Sequence, residues 1–254
     1  MTMRVLILGG TTEASALARL LAGDPRFETT LSLAGRTSAP RAQPVATRVG
    51  GFGGIDGQVS YLRDHEIDAV IDATHPYAAQ ISTHAVAASA EAGVALASLV
   101  RPPWQRQEGD RWQEVASTHD AAVRLGPTPR RVFLSLGRQD LHLFAAVPQH
   151  HYIARLIEPP QQAELPTNLV LLRQRGPFDL EAERRLLVDQ KIEIVVSKNS
   201  GGEATYPKIA AARALALPVV MIARPDKPAG HVVTSPEQAV DWLAHPRSPS
   251  RRGV

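Results

Sequence analysis

Val5-Leu6-Ile7-Leu8-Gly9-Gly10-Thr11-Thr12-Glu13-Ala14 is a strand-length apolar run, a pair of glycines, and the opening of an Ala- and Leu-rich amphipathic stretch. The glycines end the strand, and a threonine can cap the helix that follows. Working outward, the same alternation of short β-branched or Leu-rich runs with longer amphipathic ones continues along the chain. It is the pattern of βα units, in which parallel sheets are covered by helices on both faces. The fold class is therefore α/β, with parallel sheets flanked by helices.

In the first half, strands are expected at 5–8, 29–33, 69–72 and 94–99, with helices at 12–21, 57–64 and 78–92. The second half repeats the rhythm, with strands at 132–136, 152–156, 169–172, 192–197 and 219–222 and helices at 139–144, 180–190 and 207–215. The polar stretch that begins Arg101-Pro102-Pro103-Trp104 reads as a connection. Two α/β lobes with a cleft between them are the simplest arrangement, bounded at 1–100 and 113–226 on either side of a connection at 101–112. Residues 227–254 are expected to carry a last helix at 237–244 and a disordered tail.

The 254 residues, 44% hydrophobic and 21% charged, predict one or two domains and exclude disordered and collagen-like chains. A cysteine count of zero removes disulfides, Cys-ligated zinc, iron–sulfur clusters and a thiol nucleophile. The balance of 28 Lys and Arg against 25 Asp and Glu demands no nucleic acid and suits an acidic small molecule equally well. The longest apolar stretch, 214–223, is far short of the ~20 residues of a membrane span. With no signal-peptide pattern at 1–8, a soluble, cytoplasmic protein is expected.

Several loops can carry chemistry. At Gly9-Gly10-Thr11-Thr12, backbone N–H groups and a helix N-terminus can hold a pyrophosphate that the missing Cβ atoms let approach; a capped βα turn is the bland alternative. NAD-binding sheets carry an acid at the end of the second strand, whereas this chain has Ala34-Gly35-Arg36-Thr37-Ser38. A guanidinium and two hydroxyls would pair with a 2′-phosphate, which favours NADP(H) over NAD(H); a solvated loop arginine is the alternative. The glycine-dense run Val49-Gly50-Gly51-Phe52-Gly53-Gly54 implies unusual dihedrals, whether against a flat ligand or in a surface loop.

After the strand at 69–72, Ala73-Thr74-His75-Pro76-Tyr77 places hydroxyl, imidazole and phenol at a carboxyl edge, where ligands of open α/β sheets bind; a structural histidine and a proline that merely starts the helix are the alternative. No metal site is suggested, since His75 and His84 are too far apart for a one-turn pair and lack a carboxylate companion. In the second half, Ser197-Lys198-Asn199-Ser200-Gly201-Gly202 and the following Lys208 offer an anion backbone donors and ammonium groups; helix capping alone is the alternative. The strand end at Ser135 can face the same edge of its sheet.

Taken in order, Ile7-Leu8-Gly9-Gly10-Thr11-Thr12-Glu13, Asp72-Ala73-Thr74-His75-Pro76-Tyr77-Ala78, Ser197-Lys198-Asn199-Ser200-Gly201-Gly202 and Pro218-Val219-Val220-Met221-Ile222-Ala223-Arg224-Pro225 resemble the precorrin-6A reductases of cobalamin biosynthesis. The resemblance covers nearly the whole chain up to Ala244. It implies two Rossmann-like lobes and an NADPH-dependent reduction of the C18=C19 double bond of the precorrin-6A macrocycle to give precorrin-6B. It also implies cofactor contacts at the Gly9-Gly10-Thr11 turn and at Arg36, to which the reading of the loops adds Thr12, Thr37, Gly53 and Thr74. Cleft-lining or substrate contacts are implied at His75-Pro76-Tyr77 and at Lys198, Asn199, Ser200, Gly201 and Gly202, to which the reading of the loops adds Ser135 and Lys208. His75, Tyr77 and Lys198 are the unranked candidates for supplying a proton. Two other readings stay open at this point: an NADP(H) oxidoreductase of another polyanionic substrate, and a nucleotide-sensing, two-lobed binding protein without chemistry.

Overall fold

The computed structural model describes residues 2–35, 42–160 and 165–245. It divides into two compact units, Met1–Pro102 with Pro225–Val254, and Pro103–Arg224. The chain enters the first unit through β1 (Met3–Leu8), α1 (Thr12–Leu21), β2 (Phe27–Leu33), β3 (Ala46–Val49), α2 (Ile55–Asp64), β4 (Ala69–Asp72), α3 (Ala79–Ala92) and β5 (Ala95–Leu99). It then builds the second unit from β6 (Arg111–Val115), α4 (Thr118–Arg124), β7 (Arg131–Ser135), β8 (His151–Leu156), β9 (Leu169–Arg173), α5 (Leu180–Asp189), β10 (Ile194–Lys198), α6 (Pro207–Ala214) and β11 (Pro218–Ile222). It returns to the first with β12 (His231–Val233) and α7 (Pro236–Ala244).

The first sheet is parallel throughout, in the order β12-β5-β4-β1-β2-β3. Val5, Leu6, Ile7 and Leu8 are all 0% exposed. Val5 and Ile7 pack with Leu17, Leu21 and Leu243 of α1 and α7, and Leu6 and Leu8 with Val59, Leu62 and Ala85 of α2 and α3. Helices on both faces explain why the run is continuously apolar and does not alternate. From β1 the chain steps outward to β2 and β3 and then crosses back to β4, so the carboxyl ends of β1 and β4 flank the topological switch point where such sheets bind ligands.

The second sheet is also parallel, in the order β6-β11-β10-β7-β8-β9. Phe133 and Val195 pack with Leu187 of α5 and Ile209 and Ala212 of α6. Here the chain leaves β7 toward β8 and β9 and returns on the other side as β10, so β7 and β10 flank this unit's switch point.

The boundaries need correction. Residues 227–245 do not form a separate C-terminal segment: β12 pairs with β5, and α7 packs on α1. The connection expected at 101–112 ends in β6, which pairs with β11. Its sequence, Arg-Trp-Gln-Glu-Val, is too polar to announce a strand, because at the sheet edge only Trp112 is buried. Edge strand β3 and the three-residue β12 escaped notice for similar reasons. Helix α4, seven residues capped by the Ser117 hydroxyl, is too short to show a period. The helix expected at 139–144 is a 3₁₀ helix, Arg138–Ala146, tightened by the Asp140 N–H donating to Gly137 O at 3.0 Å. The tail expected after residue 245 lies outside the described residues. No helix among the described residues is long and apolar enough to cross a membrane.

Candidate functional site

At the carboxyl edge of the first sheet, the two glycines after β1 serve different ends. The Gly9 N–H donates to Ser32 O at 2.9 Å, and a Cβ on Gly9 would lie 2.6 Å from Leu31 Cδ1. Gly9 is thus fixed by close packing on β2. Gly10 has φ +116°, and a Cβ there would meet nothing within 4 Å. This turn leaves open space over its backbone, as an approaching phosphate requires.

Thr11 caps α1, its Oγ1 accepting from Ala14 N at 3.1 Å while its hydroxyl donates to Ala73 O at 2.8 Å. One side chain therefore ties the glycine turn to the end of β4. Thr12 donates to Glu13 Oε2 at 3.1 Å, and Arg101 pairs with the same oxygen at 2.9 Å. That ion pair offsets the carboxylate which would otherwise repel an anion at the helix N-terminus.

The end of β4 is built around Asp72, 0% exposed. Its Oδ1 accepts from Thr74 N at 3.1 Å and from the Thr74 hydroxyl at 2.6 Å. Its Oδ2 accepts from the Ser82 hydroxyl at 2.5 Å and pairs with Lys227 Nζ at 3.4 Å. Lys227 also donates to Thr74 Oγ1 at 2.9 Å. A buried carboxylate is stable only when paired and hydrogen-bonded in this way. Next to it, Tyr77 N–H donates to His75 Nδ1 at 3.3 Å, which in the neutral ring places the proton on Nε2, and the two rings lie 5.7 Å apart.

The glycine-rich loop after β3 is held from below. Arg48 donates to Ser32 Oγ, Gly50 O and Gly51 O at 2.7, 3.1 and 3.0 Å, and its guanidinium lies 3.9 Å from the Phe52 ring centroid. Gly53, at φ +84°, stands at the exit of this loop, where a Cβ would meet nothing within 4 Å. Burial raises the Tyr61 phenol above its ordinary range beneath the same arginine. Arg36 and Thr37 lie outside the described residues.

In the second unit, Ser135 and Ser197 are register partners at the ends of β7 and β10. Lys198 Nζ pairs with Asp140 Oδ2 at 2.7 Å, both side chains about one-fifth exposed (18% and 22%). The loop that follows is clamped from two sides. Asn199 Oδ1 accepts from Trp104 N at 2.8 Å, its Nδ2 donates to Trp104 O at 3.1 Å, and the Trp104 indole N–H donates to Gly202 O at 2.9 Å. Arg224 donates to Asn199 O at 2.9 Å and to Ser200 O at 3.0 Å. Gly201 and Gly202 both take positive φ, 67° and 76°. Lys208 is 2% exposed, its Nζ donating to Thr205 O at 2.8 Å and lying 4.6 Å from the Trp104 ring centroid.

The structure thus gathers Gly9, Gly10, Thr11, Thr12, Thr74, His75 and Tyr77 at one sheet edge and Ser135 and Lys198 through Gly202 at the other, while Lys208 lies under Trp104. Sequence reading missed Asp72, Ser82 and Lys227, together with Arg48, Arg101, Trp104, Asp140 and Arg224. The proline-flanked Arg224-Pro225-Asp226-Lys227-Pro228 was the available signal for Lys227.

The model of the family described as precorrin-6x reductase CbiJ/CobK matches residues 4–244. A precorrin-6A reductase of Rhodobacter capsulatus is 49% identical over 99% of this chain and 99% of its own. A relative from Priestia megaterium named cobalt-precorrin-6A reductase is 27% identical over 95% of this chain and 98% of its own. The solved structure of a CobK precorrin-6A reductase superposes with a TM-score of 0.91 at 49% identity, covering 100% of both chains. The chain belongs to the precorrin-6x reductase family, the oxidoreductases that act on precorrin-6A in cobalamin biosynthesis.

Proposed function

We propose that the first unit binds NADPH and the second binds metal-free precorrin-6A, with reduction at C18=C19 giving precorrin-6B. The observation that carries the cofactor assignment is the open, positive-φ turn at Gly10, set at the β1/β4 switch point before a capped helix. By helix geometry, the first-turn N–H groups of Thr12 and Glu13 have no acceptor within α1 and suit a pyrophosphate. Arg36, following β2 in sequence, suits the 2′-phosphate. The more similar relative bears the name without cobalt, which favours the metal-free macrocycle.

Bound NADPH supplies the hydride, and the neighbouring carbon takes a proton, so one double bond is reduced per NADPH and proton consumed. The protein's own part is placement. Lys198 and the Gly201-Gly202 backbone grip peripheral carboxylates of the macrocycle, while Trp104 and Arg224 hold that loop in shape. Lys208 acts through Trp104, supporting the loop. His75, Tyr77 and Lys198 are the candidate proton donors. The test is the loss of NADPH absorbance when precorrin-6A is added to protein and cofactor, run beside NADH and cobalt-precorrin-6A. No oxidation above the protein-free rate would refute the reading, and faster turnover of the cobalt macrocycle would refute its metal-free form.

A further inference from the structure

We infer that Lys227, contributed by the segment that re-enters the first unit, contacts the nicotinamide half of the cofactor directly. The inference rests on the NADPH reading above and assigns the ligand contact at the end of β4 to a different group from the Thr74 hydroxyl. That hydroxyl has one proton, and at 2.6 Å it is donated to Asp72 Oδ1. Its oxygen in turn accepts from Lys227 at 2.9 Å. Thr74 therefore has no hydroxyl proton left for a ligand oxygen.

An ammonium carries three donors. Thr74 takes one, Asp72 Oδ2 lies 3.4 Å away as the ion-pair partner, and a remaining N–H is the group this cluster offers a ligand. Lys227 is 13% exposed while Asp72 is fully buried, so the cation is the member of the pair that reaches solvent. The buried carboxylate holds it in place, since a buried Asp72 without a partner would be costly. The location fixes which part of the ligand is met. Sheets of this order place the adenosine ribose at the end of the strand beside β1 on the β2 side, so the β4 side receives the nicotinamide half. The Thr11 hydroxyl, bonded to Ala73 O one residue before Thr74, joins this cluster to the phosphate turn. The acceptor for Lys227 is thus an oxygen of the nicotinamide ribose or of the phosphate attached to it.

A merely structural lysine would neutralise Asp72 and do nothing else, and a pair of variants separates the two roles. NADPH and 2′,5′-ADP, which lacks the nicotinamide half, are titrated by fluorescence against wild type, Lys227→Met and the double variant Asp72→Asn with Lys227→Met, with circular dichroism reporting the fold of each. The expected result is NADPH affinity about tenfold weaker in both variants, as for a lost charge-assisted contact, with 2′,5′-ADP bound as in wild type. Recovery of wild-type NADPH affinity in the double variant would reduce Lys227 to a counter-ion and overturn the inference. Equal weakening of 2′,5′-ADP would overturn the placement. If Lys227→Met does not fold, the double variant, which leaves no buried charge unpaired, decides the matter alone. Wild-type protein that binds neither probe would instead sink the cofactor reading itself.

Discussion

The two glycines after β1 allow destabilisation and loss of ligand to be told apart. Gly9→Ala sets a methyl 2.6 Å from Leu31 Cδ1 and 3.4 Å from Leu33 Cδ2, in a core where Leu31 is buried. Overpacking of this kind costs about 1–3 kcal/mol. Gly10→Ala meets no atom, yet φ +116° is a region L residues avoid, at a cost of about 1–3 kcal/mol. The two variants should therefore lose similar stability, roughly 2–4 °C in melting temperature per kcal/mol for a chain of this size. Their cofactor binding should differ. The Gly10 methyl stands in the space a pyrophosphate would fill, so Gly10→Ala should weaken NADPH by at least about tenfold, the value of 1.4 kcal/mol. Gly9→Ala, whose methyl points at β2, should bind NADPH within a factor of about two to three of wild type. Thermal melts and NADPH fluorescence titrations on the same preparations make the comparison. Equal loss of affinity in both variants, or normal binding by Gly10→Ala, would refute the cradle.

Arg36→Ala should weaken NADPH by about 1.5–3 kcal/mol while leaving NADH nearly unchanged, as a lost charge-assisted bond to the 2′-phosphate predicts; comparative titrations decide it. Lys198→Ala should raise the KM for precorrin-6A or lower kcat, since misplacing the reacting carbon by ~1 Å can cost about a hundredfold in rate, with NADPH affinity unmoved. The reverse pattern would exchange the roles of the two units. His150 is fully buried beside Tyr152, and burial lowers its pKa from 6.5, so the folded state takes up its proton less readily than the unfolded chain. Stability should therefore fall as pH drops through 6.5, by at most about 1.4 kcal/mol per pH unit for this group, and His150→Phe should flatten the pH dependence of the melting temperature between about pH 7 and 5.

The parts of the fold legible in sequence were those whose burial is extreme. Val5 through Leu8 could hardly be anything but a central strand, because both of its faces meet helices. Arg111-Trp112-Gln113-Glu114-Val115 gave no such sign, since an edge strand with one buried residue looks like a loop. At the site, glycines and strand-end polar residues were readable from local order alone. The Lys227 and Thr74 contact joins residues 153 apart, and only the crossing of the chain back into its first sheet brings them together. Asn199 illustrates a third limit: its type suggested ligand recognition, whereas its side chain is spent on the backbone of Trp104, a partner no spacing announces.

That return of the chain also bears on the order in which the protein can be born. Synthesis delivers 1–102 first, but Leu17 and Leu21 lack the cover of Leu243 and β5 lacks its outer neighbour, β12, until residues 225–244 follow. The stretch 103–224 is continuous and holds all six strands of its own sheet. On the ribosome, the usual amino-terminal-first sequence is therefore inverted: the inserted unit can complete itself while its host waits with an apolar helix face uncovered. A stalled nascent chain ending just after residue 224, with enough linker to clear the exit tunnel, should show protease protection across 103–224 well before it appears at α1.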